Sequence, residues 1–94
     1  MIVQRQQFTV KSGRVKEAAE ILQEMWKLID PIPHRIYTPI TGPSNTVVQE
    51  MEFEGWEQRE AWWADTRTKI APLMEKWRTL RDTGGGNELL TLVE

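Results

Sequence analysis

Residues 45–63, NTVVQEMEFEGWEQREAWW, change their apolar period halfway along, and that change decides the fold. The first part alternates. Val47, Gln49, Met51 and Phe53 share one face of an extended chain, while Val48, Glu50, Glu52 and Glu54 share the other. Gly55 breaks the strand and fits a helix N-cap, where a missing side chain costs little. Glu57 and Glu60 then place negative charge in the first turns, which suits the positive end of a helix. Trp56, Arg59 and Trp63 follow at i, i+3 and i+7, with Trp62 beside them, so one stripe is strongly aromatic. Aromatic stripes are ordinarily core. Arg59 is the residue on this stripe that core packing explains least.

Upstream, residues 34–40 are rich in β-formers and predict a strand. Thr41-Gly42-Pro43-Ser44 is a turn that joins it to the first stretch as an antiparallel hairpin. Nearer the start, residues 2–10 alternate, with Ile2, Gln4, Gln6, Phe8 and Val10 on one face and Val3, Arg5, Gln7 and Thr9 on the other. Ser12-Gly13 turns the chain, and Ser12 is placed to cap a helix over residues 14–29. Its stripe is Val15, Ala18, Ala19, Leu22, Trp26 and Ile29. Asp30-Pro31-Ile32-Pro33 ends it, because proline disfavours helical geometry in the residue before it.

Downstream, the helix from Trp56 breaks and re-forms around Ala71-Pro72, with Leu73, Met74, Trp77 and Leu80 inward. Thr83-Gly84-Gly85-Gly86 reads as a flexible stop, and residues 87–93 as the last strand. That strand carries apolar residues on both faces: Leu90 and Leu92 on one, Leu89 and Val93 on the other. The order βαββαβ is the α+β, ferredoxin-like pattern, a four-stranded antiparallel sheet with the helices on one face. The opposite sheet face would be bare in a monomer, and a second copy of the chain is the economical cover.

Composition limits the partners. Residues 1–94 are enough for one domain. A formal net charge of −2 gives no electrostatic reason to expect nucleic acid. The absence of cysteine removes disulfides and thiolate metal sites, and fits a reducing compartment. No apolar run approaches the ~20 residues that span a bilayer. The strand pattern begins at once, which leaves no signal peptide to expect, so the reading is cytoplasmic. One histidine without cysteine argues against a transition-metal site. The triple glycine lacks the spacing and the following helix of a phosphate loop. Ser12 and Ser44 have no neighbouring base. Glu50 and Glu52 are carboxylates on a solvated strand, a setting that is ordinarily structural.

The run RIYTPITGPSNTVVQEMEFE, residues 35–54, resembles the hairpin of NIPSNAP-type proteins. These belong to the dimeric α+β barrel superfamily, together with antibiotic-biosynthesis monooxygenases and haem-degrading monooxygenases. The order strand, Lys-Ser-Gly turn, helix, hairpin, helix, strand is similar over the whole chain. The resemblance implies a homodimer whose two sheets close a barrel, with a ligand pocket in each protomer between sheet and helices. In the haem-degrading branch an asparagine precedes the turn glycine by seven residues, which falls on Gln6 here, and its distorting tryptophan falls on Trp62. The haem-ligating histidine falls on Pro72, so the resemblance implies no haem, and no cofactor is expected.

Alternation bears on the site independently. If Phe8, Val10 and Phe53 face the helices, so do Gln4, Gln6 and Gln49. Buried without partners, each amide would cost about 1–3 kcal/mol. Either a bulge reverses their parity, or they line a polar cavity with Arg59, Trp62 and Trp63. The other parity places Arg5, Gln7, Val48, Glu50 and Glu52, joined by Tyr37 and Arg35, on the face away from the helices. Arg5 can pair there with Glu50 or Glu52. This face suits a wet dimer interface.

Three functions compete. The first is a domain binding a small, flat, anionic molecule between sheet and helices. The second is a cofactor-independent monooxygenase using Trp62 and the glutamine amides to hold an activated aromatic substrate. The third is a structural dimer whose tryptophans are all core.

Overall fold

Two alternating strands without a slip set the frame. The computed structural model describes residues 1–93, in the order β1 (Ile2–Val10), α1 (Val15–Trp26), β2 (His34–Tyr37), β3 (Thr46–Phe53), α2 (Trp56–Lys69), α3 (Ala71–Leu80) and β4 (Arg81–Thr91). The four strands form one sheet in the order β2-β3-β1-β4. Every neighbouring pair is antiparallel. This is the ferredoxin-like arrangement, with its second helix in two pieces.

β1 and β3 run in continuous register from Ile2 opposite Phe53 to Thr9 opposite Thr46. Ile2, Gln4 and Val10 of β1, and Val47, Gln49, Met51 and Phe53 of β3, are accordingly all buried on one face. Above it lie two apolar clusters. One joins Val10 and Val47 to Ala18, Ile21, Leu22 and Met25 of α1 and to Trp77 and Leu80 of α3. The other gathers Ile2, Ile29, Met51, Phe53 and Trp62.

The helices depart from the sequence pattern at their ends. α1 starts at Val15, Arg14 is its cap residue, and no side chain caps it, so Ser12 does not serve. The turn before it takes its shape from Gly13, whose φ of 78° favours glycine. Ile21 and Met25 are buried on its inner stripe, while Ala19 is only half-buried. The helix closes three residues early because Lys27 and Leu28 bond back to the carbonyls of Glu24 and Met25, tightening the last turn. α2 starts after Gly55, which is extended, and the Gln58 side chain accepts the Glu54 N–H. Trp56 stays outside at 58% exposure instead of joining the inner stripe. The α2–α3 break comes at Ile70, and Pro72 stands in the first turn of α3.

β2 ends at Tyr37, short of the expected strand end. Pro39 brings no N–H to a ladder, and Ile40 is wholly exposed. β4 differs most. The three glycines lie inside this strand, Gly86 and Gly85 opposite Gln7 and Phe8, and are no stop. Gly84 and Gly85 have φ of 110° and 108°, and the β1–β4 register shifts between Phe8 and Val10. From Asp82 to Thr91 every residue of β4 is exposed. No helix among the described residues is long and apolar enough to cross a membrane.

Candidate functional site

The expected parity of the glutamines holds. Gln4 is 2% and Gln49 6% exposed, and Gln6 is half-buried beside them. No bulge turns them to the other face, so their amides must find partners under the helices. Two hydrogen-bond chains supply these. In the first, the Trp26 indole donates to Gln49 Oε1 at 3.1 Å, and Gln49 Nε2 donates to Gln6 Oε1 at 2.7 Å. Gln6 and Gln49 are direct register partners, which brings the two amides together. In the second, Gln4 Oε1 accepts the Trp63 indole N–H at 2.9 Å and Arg59 Nε at 3.2 Å. Gln4 Nε2 then donates to Asn87 Oδ1 at 2.9 Å.

Asn87 also belongs to this network, as its hydrogen bond with Gln4 shows. It stands opposite Gln6 across β1 and β4, one diagonal step from Gln4. The signal was the alternation of β4, hidden because the glycines before Asn87 read as a break.

α2 brings the aromatic residues and the cation. Trp62 is buried, meets Phe53 and Trp63 edge-on at 5.5 and 4.9 Å, and donates its N–H to the Asp30 carbonyl at 2.9 Å. Trp26 and Trp62 are 5.4 Å apart, and the His34 ring stacks flat on Trp26 at 3.7 Å. The three indoles form one aromatic cluster, from which Trp26 and Trp63 reach the amides through their N–H groups. Arg59 packs over the Trp56 ring at 5.8 Å. Its side chain is only 17% exposed, and its carboxylate contact is Glu60 at 2.8 Å, itself 70% exposed. Glu50 lies on the other sheet face, out of reach of Arg59.

That other face carries Arg5, Gln7, Tyr37, Val48, Glu50 and Glu52. Tyr37 donates its hydroxyl to Glu50 at 2.9 Å, and Arg5 stands 4.0 Å from the same carboxylate. Tyr37, with Glu52 and Glu50 adding to it, raises the Arg35 guanidinium above its ordinary range. A groove of about 400 Å³ lies between these side chains and the β2–β3 loop. Among the described residues no cluster of three His, Cys, Asp or Glu side chains could hold a metal ion. The residues do not fit a haem either. Pro72 offers no donor, and His34 lies on β2, against Trp26 and 2.8 Å from the Ile32 carbonyl.

No protein-family model matches the chain, and no curated protein matches it in sequence. Solved structures match it in fold. An uncharacterised NIPSNAP domain protein from Burkholderia xenovorans is 15% identical, with a TM-score of 0.83 over 99% of this chain and 95% of that one. A NIPSNAP family protein from Agrobacterium tumefaciens is 12% identical, with a TM-score of 0.82 over 99% of this chain and 93% of that one. SnoaB, a cofactor-independent oxygenase from Streptomyces nogalater, is 14% identical, with a TM-score of 0.74 over 99% and 93% of the two chains. At such identities the likeness is one of fold, and the expected α+β architecture is the one these proteins share.

Proposed function

We propose that the chain is a small-molecule-binding protein acting as a homodimer, and that it takes up a small, flat ligand between α2 and the sheet. The observation that carries this reading is Arg59, largely covered yet, among the described residues, ion-paired only with an exposed neighbouring carboxylate. A guanidinium so placed gains most from an anionic or electron-rich ligand. Trp62, Trp63 and Trp26 provide flat apolar walls, and Gln4, Gln6 and Gln49 fixed polar groups, the usual make-up of a ligand site. The open sheet face supports pairing of two copies, since Tyr37 and Leu90 are 41% and 45% exposed there among charges of both signs. The lack of cysteine fits a cytoplasmic setting.

Tryptophan fluorescence during titration with flat aromatic compounds tests the site. Arg59→Met should weaken an anionic aromatic by roughly thirtyfold while the fold is kept. Equal affinity in the variant would remove Arg59 from the site. The alternative is a cofactor-independent monooxygenase, which the fold of SnoaB motivates. Oxygen consumption with electron-rich phenols separates it from simple binding.

A further inference from the structure

We infer that the site recognises a carboxylate, held by paired amide N–H donors on Gln6 and Asn87. The inference rests on the ligand-binding reading above and names the chemistry of its ligand. An indole N–H can donate and never accept. Trp26 therefore fixes the direction of the first chain: Gln49 turns its oxygen to the indole and its nitrogen to Gln6. Trp63 does the same in the second: Gln4 turns its oxygen to the indole and to Arg59, and its nitrogen to Asn87. Each chain ends on an amide whose oxygen already accepts one bond and whose –NH₂ donates none among the described residues, so the –NH₂ is the group open to a ligand.

The two terminal amides stand side by side. Gln6 and Asn87 are register partners across β1 and β4, on the parity that faces the helices. Opposed residues in such a pair have Cβ atoms about 5 Å apart. Gln6 is half-buried and Asn87 exposed, so both can be reached. Arg59 is tied to the same network through Gln4. The rim thus offers two adjacent neutral donors with a cation close by. An amine cannot accept from the two –NH₂ groups once protonated, and its charge would be repelled by Arg59. A single carbonyl could accept from both amides but brings no charge to Arg59. A carboxylate has two acceptor oxygens for the two amides and a charge that complements Arg59. Flat walls from the indoles make an aromatic carboxylate the fitting probe.

The test uses the full, isotope-labelled chain titrated with naphthoate and with neutral naphthamide, following side-chain amide and indole resonances by NMR. Naphthoate should shift the Gln6 and Asn87 amide signals and bind at least about tenfold more tightly than naphthamide. Asn87→Asp keeps the acceptor for Gln4 Nε2 but replaces the outward donor by an anion, so it should abolish that preference. If this variant loses its dispersed spectrum, Gln6→Glu makes the same comparison on the neighbouring strand. A preference retained in the folded variants overturns the inference. Equal binding of naphthamide, with shifts at Trp63 and Gln4, overturns the carboxylate and leaves the site standing. Shifts from neither compound at α2 or the sheet overturn both.

Discussion

Gln4 and Trp63 are joined by a 2.9 Å hydrogen bond from the indole to the amide oxygen, and the same oxygen accepts Arg59 Nε. One buried glutamine therefore holds two α2 side chains and, through its nitrogen, Asn87 of β4. Gln4→Leu removes all three bonds at once. Trp63 is half-buried and Asn87 exposed, so water can satisfy part of what is lost. The expected cost is about 1–3 kcal/mol in urea unfolding. Gln4→Glu should cost less, because a carboxylate accepts from both Trp63 and Arg59, but it should abolish binding of anionic ligands. A Gln4→Leu protein as stable as wild type would show that the network adds no stability.

Gly85 and Gly86 are adjacent, yet they should respond oppositely to alanine. A Cβ on Gly85 would overlap the backbone carbonyl of Gln7, and its φ of 108° disfavours any other residue. Gly86 has open space where its Cβ would stand. Gly85→Ala should lower stability by about 2 kcal/mol or more. Gly86→Ala should stay within about 0.5 kcal/mol of wild type. Equal midpoints for the two variants in thermal unfolding would argue against the close approach of β4 to β1.

These glycines also mark where the sequence stops being legible. β1 could be read to its last residue because period-two alternation with one apolar face fixes both parity and extent, and β3 was legible by the same pattern. Parity alone put Gln4, Gln6 and Gln49 under the helices, and the aromatic spacing put Trp62, Trp63 and Arg59 above them. Only the second half of β4 was legible, as the strand expected from residue 87; its first half was not, since three residues without side chains carry no alternation and their usual place is a turn. With the register of β4 against β1 unset, Asn87 could not be paired with Gln6. Trp56 misled for a different reason. It begins α2 on the aromatic stripe, but it lies at the helix start, clear of the sheet, and covers Arg59 from outside.

Trp62 and Trp56 should accordingly separate stability from binding. Trp62 packs on Phe53, Trp63 and Trp26 and is 8% exposed. Trp62→Ala should cost about 3–5 kcal/mol, the range for an aromatic removed from a core. It therefore cannot by itself tell a ligand wall from a core residue. Trp56→Ala should leave the unfolding midpoint within about 0.5 kcal/mol of wild type, while freeing Arg59 from its stack. Its effect should appear in the affinity for an anionic aromatic. A large stability loss at Trp56 with no change in binding would count against a binding role for Arg59.

The open sheet face makes the assembly testable. Arg5 and Arg35 stand there with Glu50, Glu52 and Glu88, and the cations of one copy can meet the carboxylates of another across a two-fold axis. Val48 lies among them, half-buried in the groove beneath the β2–β3 loop. Covering the sheet should remove at least about 1,000 Å² of surface, enough for a stable pair. Sedimentation of a dilute sample should give twice the 11.0 kDa chain mass. Val48→Arg puts a large charge at the centre of that face without touching the helix-side core. It should yield a folded monomer, because leaving a charge unpaired at a buried interface costs more than the valine contributes. Wild-type protein that sediments as a monomer would remove the pairing. Val48→Arg that remains a dimer would move the contact to another surface, of which the edge of β4 with Leu89 exposed on the helix-side parity is the first to examine.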